Sequence, residues 1–324
     1  MKVLQKQKGK KFTVLNLSDP QLSNEEWHEG REEGKLLKDT LAYLIEQSKP
    51  DLITVSGDIA WAGALESYSR FSDLLDSYGI PWAPVFGNHD NQGGPEMVLK
   101  QAEIMQARKT CLMENGDPAL GCGNYVIGIE EDGRLIHGII LMDSHDRQIC
   151  VDEDGRENSH WAELLPAQFP WYREQIEMLQ EKGVRESSII MHIPLYTYRT
   201  AIQAALKEGV DPRSVSPYNG EQAGCWNPGY EDSFGVMYEG ISSFPKDNGF
   251  FEEILAGGHT KTVLVGHDHV NNFGVRYEGV LLMFSMKIGS GCYWDPRING
   301  GTVMTIDSDG RMEAEHLFYR PDQL

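Results

Sequence analysis

The chain has 324 residues, 40% of them apolar, and a formal net charge of −20. Such an acidic surface repels polyanions and argues against nucleic acid as a partner. No apolar run approaches the ~18 residues of a membrane span. The basic opening stretch MKVLQKQKGKKF lacks the apolar segment of a signal peptide. The five cysteines, Cys111, Cys122, Cys150, Cys225 and Cys292, are scattered and form no C-x-x-C pair. These features lead us to expect a soluble cytoplasmic protein with free thiols, no disulfide framework and no structural zinc site.

In chain order, FTVLNL reads as a buried strand and GKLLKDTLAYLIEQSK as an amphipathic helix. DLITVSG is a β-branched strand, ALESYSRFSDLLDSYG a helix ending at Gly79, and PWAPVFG a strand. PEMVLKQAEIMQARK is a helix with Pro95 in its first turn. This alternation implies a mostly parallel sheet covered by helices. NYVIGIEEDGRLIHGIILMD reads as two strands joined by an Asp-Gly turn. PAQFPWYREQIEMLQEKG is a helix leading to the strand SSIIMH. A stretch at about 196–247 reads as an irregular, lid-like insertion, rich between residues 211 and 245 in Gly, Pro, Ser, Asn and aromatics such as Trp226, Tyr230, Phe234 and Tyr238. The buried strand KTVLVG follows, then NFGVRYE and VLLMFSMK. Nothing splits the chain, so residues 1–324 are expected to form one domain with two stacked sheets.

Polar residues recur where the strands stop. Asp19 follows FTVLNL, Asp58 follows LITVS, and Asn88 and His89 follow PWAPVF. His192 follows SSIIM, and His267 and His269 follow KTVLV. Ligands of open α/β sheets bind beyond the carboxyl ends of the strands, so five such ends point to one site assembled from distant segments. Carboxylates and imidazoles suit Mn, Fe and Zn, and one Asp can bridge two ions. Glycines before Asp58, Asn88 and His267 allow close backbone approach. Taken singly, each element is ordinary: an Asp after a strand is usually a cap or turn residue, and a lone His is usually a core residue.

The ordered pattern D-P-Q, G-D, G-N-H-D, H and G-H-D-H, from residue 19 to 269, resembles the calcineurin-like metallophosphoesterases. PWAPVFGNHD, GNYVIGI, AQFPWY and VLVGHDHVNNFGV are similar to intracellular relatives of purple acid phosphatases. The resemblance implies a four-layer α-β-β-α sandwich of two mixed sheets flanked by helices. It implies two divalent or mixed-valence metal ions, with Mn or Fe favoured and Zn also suited. Asp19 and His269 would hold one metal, Asp58 would bridge, and Asn88, His192 and His267 would hold the other. His89 would be the general acid or transition-state stabiliser, sharing substrate contact with Asn88, and Asp90 either orients His89 or is a turn residue. The implied reaction is hydrolysis of a phosphomonoester or phosphodiester by attack of metal-bound hydroxide. Its substrate would be a small phosphorylated molecule or a phosphoprotein, drawn by a centre that stays positive inside an acidic protein.

This chain departs from the family pattern twice. Gln21 stands where D-x-H has its His, and three readings stay open: Gln21 binds metal through its amide oxygen, holds a metal-bound water, or marks a damaged site. Trp61 stands where purple acid phosphatases carry the tyrosine that colours their iron, so no purple chromophore is expected. His145, after another strand, is a candidate for substrate contact at the rim. The rival to catalysis is a non-catalytic scaffold on the same fold, hinted at by Gln21 and opposed by the retention of His89.

Overall fold

A computed structural model describes residues 1–151, 154–211, 213 and 224–321. Its first sheet is built from β2 (Phe12–Leu17), β3 (Leu52–Ser56) and β4 (Trp82–Val85), which run parallel. β13 (Gly300–Ile306) pairs antiparallel with β2, and β14 (Met312–Phe318) closes that side. The five strands lie in the order β14-β13-β2-β3-β4.

The second sheet has seven strands in the order β1-β5-β6-β9-β10-β12-β11. They are β1 (Lys2–Gln5), β5 (Tyr125–Glu131), β6 (Arg134–Leu141), β9 (Glu186–Ile190), β10 (Thr260–Val265), β11 (Gly274–Tyr277) and β12 (Val280–Phe284). β6, β9, β10 and β12 are mutually parallel. Asp132 (φ 53°) and Gly133 (φ 78°) turn β5 into β6, the paired positive φ that a tight hairpin needs.

Side-chain alternation explains the layering. Ile139, Leu141, Ile190, Leu264 and Met283 face the five-stranded sheet and share one core with Leu15, Leu17, Ile53 and Val55. Their neighbours Ile140, Ile189, Val263, Leu282 and Phe284 face the other way, into a second core. Because successive residues point to opposite faces, a strand buried on both sides must be apolar throughout. α1 (Glu32–Ser48), α2 (Leu65–Ser77) and α4 (Pro95–Gln106) cover the five-stranded sheet through Leu37, Leu41, Phe71, Leu75 and Ala102. α5 (Gln168–Glu181), α6 (Thr197–Ala205) and α7 (Phe250–Gly257) cover the seven-stranded sheet through Tyr172, Ile176, Tyr198, Ile202 and Phe250. The outcome is the expected sandwich of two mixed sheets between helices.

Three segments differ from the sequence reading. Residues 2–5, read only as a basic tail, form an edge strand parallel to β5. The stretch at about 196–247 is not irregular at its start: α6 lies within it, with Tyr198, Ala201, Ile202 and Ala205 at helical spacing and buried. Residues 212 and 214–223 of that stretch lie outside the described residues. Farther on, Trp226 is buried in the second core, Tyr230 packs on it, and Phe234 packs on the first. Finally, β7 (Arg147–Val151) and β8 (Glu157–Trp161) make an unanticipated antiparallel hairpin between β6 and α5.

Candidate metal centre

The carboxyl ends of parallel strands from both sheets converge. β2 ends at Leu17 and Asp19 follows; β3 ends at Ser56 and Asp58 follows; β4 ends at Val85, and the one-turn helix α3 (Asn88–Asn91) begins three residues on. From the other sheet, β9 ends at Ile190 ahead of His192, and β10 at Val265 ahead of His267. The loops interlock through the backbone: Asp19 N–H donates to Gly57 O at 3.2 Å and Gln21 N–H to Asp58 O at 2.8 Å. Asp19, Gln21, Asp58 and His267 all have positive φ, between 48° and 79°. Non-glycine residues hold this conformation only where the surroundings impose it, which clusters at functional sites. The packing is tight: a Cβ on Gly87 would stand 2.3 Å from Asp58 Oδ1, and one on Gly266 would stand 2.7 Å from Asp19 Oδ2.

Two groups of candidate ligands result, Asp58–His192–His267 and Asp19–Asp58–His269, each with one ligand atom per residue lying within 4.8 Å of the others. Asp58 belongs to both. The five side chains are buried. Hydrogen bonds fix the two outer imidazoles: His192 Nδ1–H donates to Ser56 O, and His269 Nδ1–H to Tyr293 O, both at 2.8 Å. Each ring therefore turns Nε2 inward, the tautomer control expected of metal-ligating histidines.

The donor set fits a cation. His192 Nε2 faces Asn88 Oδ1 at 3.0 Å, Asp58 Oδ2 at 3.3 Å and His267 Nδ1 at 3.3 Å. Asn88 Oδ1, Asp58 Oδ2 and His267 Nδ1 all present lone pairs to this point, and they converge stably only around positive charge, a protonated His192 or a bound cation. His192's pKa shows the same need: burial pushes it down, yet Asp58 and Asp19 outweigh burial and raise it to about 10. Asp19 and Asp58 are pushed up by burial but pulled below the usual carboxylate range, chiefly by His192. Burial and the charge of His192 lower His267 to about 3, leaving it neutral and able to ligate. Among the described residues, both amide atoms of Gln21, Asn88 Nδ2 and His267 Nε2 are buried with no hydrogen-bond partner.

The remaining sequence candidates take distinct places. His89 stands at the mouth, 20% exposed, its Nε2 4.0 Å from Asp58 Oδ2. Its Nδ1 lies 3.0 Å from Gln92 Oε1, and Trp61 meets its ring edge-on with centroids 4.3 Å apart. Asp90 does not reach toward His89. It accepts from Gly87 N–H at 2.7 Å, from Ile59 N–H at 3.1 Å and from the Tyr68 hydroxyl. Burial, then the charge of Asp58, raises Asp90 to about 7. His145 lies beside Asp143 (Nδ1 to Oδ2 3.7 Å), which accepts from Asn91 Nδ2 at 3.1 Å.

Sequence reasoning missed four residues. Lys287, three positions beyond β12, is buried and donates its ammonium to Asp19 O; burial lowers its pKa to about 8 against the pull of Asp19. The strand-end rule that found the histidines also covers Lys287. Tyr293 stacks on His269 at 4.2 Å. Trp161 of the β7–β8 hairpin meets His267 edge-on at 4.7 Å and carries Arg147 over its own ring at 4.2 Å. No spacing signal marks these aromatics.

Comparison with known proteins agrees with this geometry. "Probable inactive purple acid phosphatase 29" of Arabidopsis thaliana is 25% identical over 317 residues, covering 86% of this chain and 74% of that protein. "Probable inactive purple acid phosphatase 28" of the same plant is 25% identical, covering 79% of this chain and 62% of that protein, less than two thirds of its length. Among solved structures, a dimetal phosphatase from Danio rerio superposes with a TM-score of 0.55 at 15% identity, over 94% of this chain and 95% of that one, a likeness of fold. The sequence model of the calcineurin-like phosphoesterase family matches residues 12–271, and this chain, whose strand ends carry the candidate ligand groups just described, belongs to that family.

Proposed function

We propose that this protein is a metal-dependent phosphoesterase acting on a small phosphorylated molecule or a phosphoprotein. The observation that carries the reading is the membership of Asp58 in both ligand groups, the arrangement a shared carboxylate needs between two ions. Asp19 and His269 would hold one ion, with Gln21 as a neutral neighbour; Asn88, His192 and His267 would hold the other. Mn or Fe suits this oxygen-rich set best, and Zn also fits. When bound, such ions neutralise phosphoryl oxygens and acidify water.

The chain's own residues supply the rest. Asp58 and Asp19, kept ionised, would anchor the cations. His89, with Nδ1 tied to Gln92, keeps Nε2 for proton exchange, and its protonated form delivers that proton to the departing oxygen. Asn88 and His89 would share contact with the incoming phosphate. The test is hydrolysis of a chromogenic phosphomonoester and a diester in parallel, with Mn²⁺ and with chelator. Metal-dependent turnover supports the reading, and the faster ester gives the substrate class.

A scaffold without turnover is the second reading. It is favoured by Gln21 and by the word "inactive" in the names of the plant relatives. Metal content does not separate the two, since a scaffold can bind metal; turnover does.

A further inference from the structure

A cleft of about 540 Å³ opens beside the centre, large enough for a small-molecule group. Pro95, Val98 and Leu99 of α4 form one wall and Pro118 another, while His145 and Asp146 stand at the polar end. Asn91, at the end of the helix that carries His89, also lines it. Through Asn91 Nδ2 to Asp143 Oδ1 at 3.1 Å, and Asp143 Oδ1 from His145 N–H at 2.9 Å, the cleft floor is tied to that helix. None of its lining residues belongs to the two ligand groups, so the proposed chemistry leaves this cleft unused.

We infer that the cleft holds the leaving group of the substrate, and that this group is an apolar alcohol or phenol, neutral or cationic, bearing an N–H or O–H donor. The inference rests on the phosphoesterase reading of the neighbouring centre. The walls dictate the apolar body, because only water is displaced from Val98, Leu99 and the two prolines. Asp146 dictates the donor: its Oδ1 is buried and accepts no hydrogen bond among the described residues, a costly state that a bound donor relieves. Asp146 and the overall charge of −20 disfavour an anionic leaving group, with Arg147 the neighbouring cation that acts the other way. Position dictates the role. Asn91 lines the cleft and sits on the same one-turn helix as His89, so a group held there lies beside the helix that carries the proton donor. Nucleoside polyphosphates, whose leaving groups are anions, are the class this cleft disfavours.

Non-hydrolysable phosphonates separate this inference from activity. In Mn²⁺-loaded protein, benzylphosphonate should bind about tenfold tighter than methylphosphonate, and 2-aminoethylphosphonate tighter than 2-carboxyethylphosphonate. Leu99→Asp should fold normally, since the residue is 45% exposed; it should bring the benzyl-to-methyl ratio near one with methylphosphonate affinity unchanged. Asp146→Asn should erase the amino-over-carboxy preference. Ratios that ignore both substitutions overturn the inference, as does failure of any phosphonate to bind metal-loaded protein. If the ratios respond while no ester is hydrolysed, the cleft still binds an apolar, donor-bearing substituent, but the catalytic reading falls and the leaving-group role falls with it.

Discussion

The carboxylate of Asp90 accepts the hydroxyl of Tyr68, reaching from α2 to the G-N-H-D turn. The same carboxylate takes Gly87 N–H and Ile59 N–H, so it ties the loop holding Asp58 to the loop holding Asn88. Asp90→Asn replaces an acceptor with an amide that meets N–H donors. We expect a loss of about 1–3 kcal/mol of stability and weaker binding of both metals. Tyr68→Phe should cost less, since the other bonds of Asp90 survive. Urea unfolding with metal titration checks both. Full metal affinity in Asp90→Asn would show that the tie does not position the ligands.

Sharing of Asp58 between the ligand groups makes its loss different from that of Asp19. Asp58→Asn should impair occupancy of both ions, whereas Asp19→Asn should impair chiefly the ion at the His269 side. Elemental analysis of the purified variants measures this. Two ions retained by Asp58→Asn would refute the bridging assignment.

Gln21 is buried to 1% exposure, and neither amide atom has a hydrogen-bond partner among the described residues. A buried amide in that state needs an ion or an ordered water. Gln21→His supplies imidazole in place of an amide. We expect metal affinity to rise roughly tenfold, a typical effect of changing groups around a metal, with preference moving toward Zn. Calorimetric titration with Mn²⁺ and Zn²⁺ reads both. Unchanged affinity and preference would mean that Gln21 does not ligate.

How much of this was legible in the sequence follows from where the signals come from. Asp19, Asp58, Asn88, His192 and His267 were legible because each ends an apolar run, and parallel strands place such ends together. The β7–β8 hairpin was not. Its strands RQICV and ENSHW are mostly exposed or half-buried, so no one-sided apolar pattern marks them. Lys287 was missed because a lysine closing a strand ordinarily keeps its ammonium in water; only the packing of SMKIGSG against Asp19 buries it. Of the two readings open for Asp90, the structure favours the turn role; sequence adjacency to His89 could not decide between them, because neighbouring side chains on a helical turn point apart.

His89 stands between Trp61 and the Asp58 carboxylate and belongs to neither ligand group. His89→Ala should therefore lower kcat by roughly 10²–10⁴ with metal content unchanged. Near wild-type turnover would remove His89 from catalysis. Loss of metal alongside activity would make the imidazole, whose Nε2 lies 4.0 Å from Asp58 Oδ2, a structural support of that carboxylate; the bond from the His89 backbone N–H to Asp58 Oδ1 survives the substitution.

Away from the centre, His137 is fully buried in β6, with Nδ1–H donating to Gly310 O at 2.8 Å and Nε2 3.1 Å from Ser188 Oγ. Burial lowers its pKa to about 4 from the ordinary 6.5, only partly offset by the Gly310 bond. Between these values the unfolded chain binds a proton that the folded chain refuses, so stability falls as pH drops from about 6.5 to about 4 and the contribution levels off below. The buried acids Asp90 and Asp268, both raised to about 7 by burial, act with the opposite sign, so the total curve mixes the two effects. The difference between wild type and His137→Asn isolates the histidine. In chelated protein, the variant should be less stable at pH 7 and should lose less stability than wild type on acidification to pH 4. The difference should amount to about 2–3 kcal/mol over that window, at ~1.4 kcal/mol per pKa unit. Parallel stability curves for the two proteins would show that His137 takes up its proton without unfolding.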